Sequence, residues 1–394
     1  MNSLKKPGRN ALATGALLFC SGLLVALLIH KMTPSGAPWT FVVDVPQTPV
    51  RGPLELATEV LSAPHEDYFV HGASLVATPT GLLAFWYRAK YEGAADGQLI
   101  SSSYDGSHWS PTTVVTNSST VSRDIGLTIK SVANPVPFRR SPNEIWLFFS
   151  ASRLSGWATS EILLMRSHDN GLSWGPAERL YASPFLNMSH LTKSPPVLLS
   201  GGRIGLPAYE EMNWAFPVLL VLNDNGRVVD RQRMGNGGKV GFQPSIVVTG
   251  RTTAVAFVRR LRRGSSKTVL VSRTSDGGKT WSIPAPTNLP NPCGALSAIR
   301  YDDGHILLAF NDDPEVEHDI SLAISDLHGK AWQRLGAIVR VSNPTDELLM
   351  YPYLIESQPG QFDVVYSRLT KTIDHIRVSS AWVQSNLQAH SAEK

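Results

Sequence analysis

Ser167-His-Asp169-Asn-Gly171-Leu-Ser173-Trp174 decides how this chain is read. Its pattern, S-x-D-x-G-x-[ST]-W, returns almost intact at Thr274-Ser-Asp276-Gly-Gly278-Lys-Thr280-Trp281. A copy one residue short lies at Ser103-Tyr-Asp105-Gly106-Ser-His-Trp109. A looser one lies at Ser325-Asp326-Leu-His-Gly329-Lys-Ala-Trp332, and a remnant without Trp at Asn223-Asp224-Asn225-Gly226. The aspartates are 64, 55, 52 and 50 residues apart, and a period of that size marks a repeat architecture. Asp and Gly supply the side-chain bond and the permissive dihedrals of a tight turn. The Trp can fold back over that turn with its N–H near a partner. Apolar runs such as Glu161-Ile-Leu-Leu-Met and Thr268-Val-Leu-Val-Ser lead into the turns. One strand-joining turn in every repeat of about 50 residues fits one blade of a β-propeller.

Working outward, six units share one grammar: a strand, a Gly/Asp turn, an apolar strand, a longer connection, and a third strand. Their first strands start near Phe69, Val132, Pro195, Gln243, Leu296 and Tyr351. The expected fold is therefore all-β, a six-bladed β-propeller over residues 39–385. Trp39-Thr-Phe-Val-Val-Asp-Val45 reads as an early strand placed to close the ring on the last blade. Fourth, outer strands are hard to see. No long stretch has helical period, and the polar tail from Gln384, with 386–394 beyond the domain, is expected to fray.

The formal net charge of +4 comes from Lys5, Lys6, Arg9 and Lys31, in a stretch without acids. The remainder balances, which argues against a nucleic-acid partner. Ala11 to Ile29 is an uncharged apolar run close to the length that spans a bilayer. The expected plan is a cytoplasmic N-terminus (1–10), one transmembrane signal anchor (11–30), a linker (31–38) and a periplasmic or extracellular propeller. A cleaved signal peptide is the competing reading. Cys293 is the one cysteine beyond the apolar run, so that part has no internal disulfide. Asn117-Ser-Ser119 and Asn187-Met-Ser189 fit the glycosylation sequon.

The inner strands of a propeller line a central channel, and a site there draws residues from several blades. The polar residues at equivalent starts of the units are the candidates. They are His71, with Arg88, Glu92 and Asp96 in the connection that follows; Lys130 with Asn134; His190 with Lys193; Gln243 with Arg259; Asn291; and Tyr351. Tyr209 and Glu211 follow the second strand of the third unit. Trp86, Trp157 and Trp214 are candidates for stacking on sugars. Arg259-Arg-Leu-Arg-Arg263 reads as a solvated connection. No metal constellation, phosphate loop or cofactor motif is present in the sequence.

The boxes, with HGASLVATPTGLLAFW, NPVPF, PAYEE, FQPSIV, LPNP and YPYLIES, resemble the sialidase superfamily of Asp-box six-bladed propellers, in its divergent sialidase-like branch, over roughly residues 60–385. The resemblance implies a carbohydrate-active protein with a glycan or polysaccharide as partner. It matches Asp96 to the acid/base aspartate, Tyr351 to the nucleophilic tyrosine, Arg259 to one carboxylate-binding arginine, and Gln243 to the glutamate that assists the tyrosine. Two arginines of that pattern are missing, with His71-Gly72-Ala73 at one place and His318 near the other. Three readings follow. The first is an exo-type glycoside hydrolase using Asp96 and Tyr351, with Tyr209 and Glu211 as a second acid/base set and Arg88, Lys130 and Lys193 as replacement cations. The second is a non-catalytic glycan-binding or polysaccharide-assembly propeller. The third is a polysaccharide lyase with His71 or His190 as base.

Overall fold

The structure, a computed structural model, describes residues 18–19, 21–22, 39–46, 56–61, 68–154, 156–183, 187–212, 215–235, 241–261, 267–342 and 347–392. The expected membrane anchor (11–30) and linker (31–38) lie almost wholly outside them. Among the described residues, no helix is long and apolar enough to cross a membrane.

After β1 (Leu56–Val60), the strands group into six antiparallel sheets around a central axis. Blade one is β2 (Phe69–Thr78), β3 (Gly81–Ala89), β4 (Gln98–Tyr104) and β5 (Thr113–Asn117), followed by helix α1 (Ser118–Ile125). Blade two is β6 (Ser131–Arg139), β7 (Ile145–Ser152), β8 (Ser160–Ser167) and β9 (Glu178–Arg179). Blade three has an inner strand in two pieces, β10 (His190–Thr192) and β11 (Val197–Leu198), then β12 (Ile204–Glu210), β13 (Phe216–Leu222) and β14 (Val228–Arg233). Blade four is β15 (Phe242–Val248), β16 (Ala254–Arg259), β17 (Thr268–Thr274) and β18 (Ala285–Pro290). Blade five is β19 (Ser297–Arg300), β20 (His305–Phe310), β21 (Asp319–Asp326) and β22 (Trp332–Arg340). Blade six is β23 (Leu349–Gln358), β24 (Gln361–Arg368) and β25 (Thr372–Ser379), followed by helix α2 (Ser380–Ala392).

Central strands face a neighbouring blade on both sides, so they read as unbroken apolar runs rather than alternating ones. In β7, Ile-Trp-Leu-Phe-Phe-Ser-Ala-Ser is buried throughout. Six apolar clusters result, one at each junction between blades.

Ring closure differs from expectation. The fourth strand of blade six is β1, registered on β25 from Leu56↔Val378 to Val60↔Asp374. Trp39–Val45 makes only an isolated bridge, Phe41↔Leu199. It wedges beneath blades three and four, with Phe41 N donating to Arg251 O and Trp39 Nε1 to Gly277 O. The two aromatic rings join the apolar cluster there, which a ladder position on an edge strand would not allow.

The expected fraying of the tail is also corrected. Residues through Ala392 form α2, with Val383 buried and Trp382 and Leu387 packed on the cluster of blades five and six. Both sequons have structural duties. Asn117 caps α1 by accepting from Thr120 N, and Asn187 is buried, donating to Glu161 and to Leu180 O.

The recurrent turns sit at one end of the ring. In the turn at 167–174, Asp169 accepts from Ser173 N and Oγ, while Ser167 Oγ donates to Asp169 and accepts from Gly171 N. These bonds, led by Ser173, hold the Asp169 carboxyl down at about 2. Asp276 repeats the pattern with Thr280 and Thr274. Each turn leans on the preceding blade. Trp174 meets Phe85 edge-on at 5.7 Å, Trp332 meets Phe257 at 5.2 Å, and Trp281 packs with Leu219 and Val221.

At the opposite end, four inner strands carry a β-bulge, where the register slips between His71/Ser74, Ala133/Val136, Phe242/Ser245 and Met350/Tyr353. The bulge residues Gly72, Asn134, Gln243 and Tyr351 all have positive φ, at 66°, 50°, 51° and 58°. A bulge re-aims a side chain, and a left-handed non-glycine residue stores about 1–3 kcal/mol of strain, a feature that clusters at functional sites.

Candidate functional site

Those bulges surround a cavity of about 130 Å³, lined by residues of five blades and the loops between their strands. His71 comes from β2 and Tyr87 from β3. Asn134 comes from β6, Leu191 from β10, Tyr209 from β12, Phe242 and Gln243 from β15, Arg259 from β16 and Tyr351 from β23. Glu92, Trp157 and Glu211 come from the connections between strands. Two larger hollows lie elsewhere and lack this convergence of several blades on one point.

Tyr351 Oη is the hub. It accepts from Arg259 Nη1 and Gln243 Nε2, both at 3.2 Å. The Gln243 amide also donates to Tyr209 Oη at 3.2 Å, and its carbonyl oxygen accepts from Arg259 Nη1 at 2.9 Å. Arg259 Nε donates to Cys293 O at 2.5 Å, and the guanidinium lies over the Phe242 ring at 4.7 Å. His71 packs against the Tyr351 ring with centroids 4.1 Å apart. Burial, then the Arg259 and Lys193 charges, pull its pKa down to about 3, so the imidazole is neutral. Burial raises the Glu211 carboxyl, against the pull of Arg259 and with a push from Glu92. Burial also lifts the Tyr209 and Tyr87 phenols well above 10.

Lys193 is buried behind Tyr351. Its Nζ donates to Pro352 O at 3.3 Å and faces the Tyr351 and Tyr353 rings at 5.6 and 4.9 Å. Burial and Arg259 lower it to about 7.

Nine of the residues singled out in the sequence thus line the cavity: His71, Glu92, Asn134, Trp157, Tyr209, Glu211, Gln243, Arg259 and Tyr351. Asp96 does not. It is exposed, accepts from Lys90 N at 3.1 Å, and faces a separate hollow with Asn117, Thr120 and Arg123. The carboxylate that the same connection sends inward is Glu92, which accepts from Trp157 Nε1 at 3.3 Å. Arg88 is turned to Gln98 and the Tyr68 ring. Lys130 lines a shallower cleft of about 320 Å³ with Tyr91, sharing Glu92 and Trp157 with the central cavity. His190 lies 3.1 Å from Glu210 Oε1, away from the cavity, so the two lyase histidines are not brought together.

Asn291 is spent on its own loop, donating to Gly294 O. Trp86 is fully buried and has no face for a sugar, while Trp214 lies outside the described residues. The basic run is not simply a solvated connection either. Arg259 is in the cavity, and Arg260 is buried, donating to Asn291 O. Residues 262–263 lie outside the described residues.

Tyr87, Leu191 and Phe242 escaped the sequence reading. Tyr87 registers directly opposite His71, and strand alternation from that histidine points to it. Three bulge residues carry a common signal, a following proline, in Asn134-Pro135, Gln243-Pro244 and Tyr351-Pro352. A residue without an N–H suits the point where a ladder is interrupted. Among the described residues, no group of three or more His, Cys, Asp or Glu is placed to hold a metal ion.

Residues 80–364 match the family model described as a BNR repeat-like domain. The fold is similar to that of a protein of unknown function from Dyadobacter fermentans, with TM-score 0.66 and 17% identity over 82% of this chain and 99% of the other. It is also similar to the Hadza microbial sialidase Hz136, with TM-score 0.65 and 15% identity over 79% and 66% of the two chains. The Trypanosoma rangeli sialidase bound to 2,3-difluorosialic acid as a covalent intermediate gives TM-score 0.65 and 14% identity over 85% and 60%. This chain spans about two thirds or less of those two sialidases. No curated protein matches it in sequence.

Proposed function

This chain belongs to the BNR repeat-like domain family and has the six-bladed fold of sialidases, and from that premise we propose that it is an exo-type glycoside hydrolase acting on an acidic glycan. One observation carries the reading: Tyr351 Oη, held by Arg259 and Gln243, faces a small cavity that also holds Glu92 and Glu211. A cavity of about 130 Å³ is smaller than the roughly 300 Å³ of an ordinary ligand pocket, so it has room for one terminal unit at most and not for the middle of a chain. Arg259, joined below about pH 7 by Lys193 behind Tyr351, makes the floor cationic, which favours a sugar bearing a carboxylate. Beside such a carboxylate a neutral phenol is a better nucleophile than a second carboxylate, because like charges repel.

In this scheme Tyr351 Oη attacks the anomeric carbon, its proton passes to the carboxylate of Glu92 in the same cavity, and the two donors stabilise the oxygen as that proton leaves. Glu211 is the better proton donor to the leaving oxygen, because burial keeps its carboxyl protonated to higher pH. Glu92 flanks the same space. Water then releases the sugar, with the acid acting as base. We further propose that residues 11–30 anchor the chain in a membrane with the propeller on the extracytoplasmic side.

A second reading has its own support. Gln243 cannot accept the phenolic proton, and its amide already occupies Tyr351 Oη, which suits a non-catalytic glycan receptor. The test is incubation of the full chain with a panel of acidic and neutral polysaccharides. New reducing ends, without the ultraviolet absorbance of an unsaturated product, are expected. Tyr351→Phe should remove that turnover and leave glycan binding in place. Binding without turnover in the unaltered chain would favour the receptor, and turnover that survives Tyr351→Phe would remove Tyr351 from the mechanism.

A further inference from the structure

Among the described residues, five of the six blade junctions are capped by an indole from a turn or from α2. Trp174, Trp281 and Trp332 lie against the preceding blade, as described above. Trp109 meets His375 of blade six at 5.2 Å, and Trp382 of α2 packs between blades five and six. At the junction of blades two and three the turn brings no indole, because the turn of blade three, Asn223-Asp224-Asn225-Gly226, runs on into Arg227 and Val228, and the indole there is Trp146, buried in β7 of blade two. Gly226 still presses on the preceding blade: a Cβ there would lie 3.3 Å from Trp146 and 2.7 Å from Arg166. Beyond it a cleft of about 780 Å³ stays open, at the turn end of the ring and away from the central cavity.

Tyr181 stands in this cleft, 62% exposed. Arg179 steadies its ring: the guanidinium lies 4.9 Å from the ring centroid and donates to Tyr181 Oη at 3.3 Å. Arg179 is fixed in turn by buried Glu161, at 2.7 Å. Arg166 pairs with Glu178 and donates to Asn225 O at 2.8 Å. The wall charges cancel, with Arg166, Arg179 and Arg227 against Glu144, Glu178 and Asp224. An aromatic face fixed in place, ringed by paired donors and acceptors without net charge, matches a hydroxyl-rich ligand with an apolar face.

We propose that this cleft is a second saccharide-binding site, one that takes neutral hexose units of a glycan chain independently of the central cavity. The test uses the full chain in a non-glycosidic detergent, titrated calorimetrically with cellohexaose, maltohexaose, mannohexaose and laminarihexaose. At least one of these should bind, with affinity unchanged by added sodium chloride and unchanged in Tyr351→Phe. Affinity should fall about tenfold in Tyr181→Ala, as for loss of an aromatic anchor, or in Arg227→Ala. Absence of binding by all four sugars, binding that survives both cleft substitutions, or binding lost in Tyr351→Phe would overturn the proposal.

Discussion

Lys193 is 3% exposed and its pKa is lowered to about 7, first by burial and then by Arg259. Its ordinary value is 10.5. Between those values the unfolded chain holds a proton that the native state lacks, so native stability rises with pH through that window. Below about pH 7 both states are protonated and the full cost of a buried ammonium is present. Lys193→Met should therefore be more stable than the parent at pH 6, by a few kcal/mol, with the gap closing toward pH 10. Thermal unfolding across that range checks it, and a gap independent of pH would mean that Lys193 is not buried as a titrating amine. At this scale the sequence was partly legible. Tyr351 and Gln243 stood at equivalent blade positions, and with Arg259 from the end of β16 they meet at one oxygen. Asp96 and Glu92 share one connection and are both acidic, and nothing in their local sequence tells which turns inward. The path of residues 90–97 over the channel decides it, with Asp96 drawn out to Lys90 N.

The recurrent turns explain why two elements must meet at a glycine. Gly171 has φ of 91°, and a Cβ there would lie 2.4 Å from Leu83 Cδ2 of the preceding blade. Gly171→Ala combines backbone strain with overpacking, and should cost about 1–3 kcal/mol, read as a lower urea midpoint at unchanged slope. A wild-type midpoint would show that the turn does not bear on Leu83. The three inner strands of five blades were readable because burial on two faces makes them largely apolar, whereas in blade three the first strand was read from Pro195 and its opening piece, His190–Thr192, was missed because it is short and polar at both ends. The outer strands were not. In β14, Val-Val-Asp-Arg-Gln-Arg has no buried residue and takes its conformation from pairing with β13. Helix α2 was missed because its apolar residues are few, at Trp382, Val383 and Leu387, and its place is set by the blade it covers.

For the whole molecule the critical feature is the joint between the two ends of the chain. β1 supplies the outer strand of blade six, and Leu61 N donates to Ile373 O at 2.8 Å. A fragment starting at Pro38 should fold as a closed ring. One starting at residue 62 exposes the edge of β25 and should aggregate or melt at a much lower temperature. Equal melting of the two fragments would show that β1 does not close the ring. Local sequence was enough for the repeat, the number of blades and most of the inner strands, because turn chemistry and apolar runs are local properties. It also pointed to most of the residues that converge on the axis, since blade position repeats with the period. Long-range packing chose which strand closes the ring, which loop carboxylate enters the cavity, and which blade supplies the indole at the junction of blades two and three. Those outcomes depend on contacts between residues far apart in the chain, where several partners satisfy the same local pattern and packing selects among them.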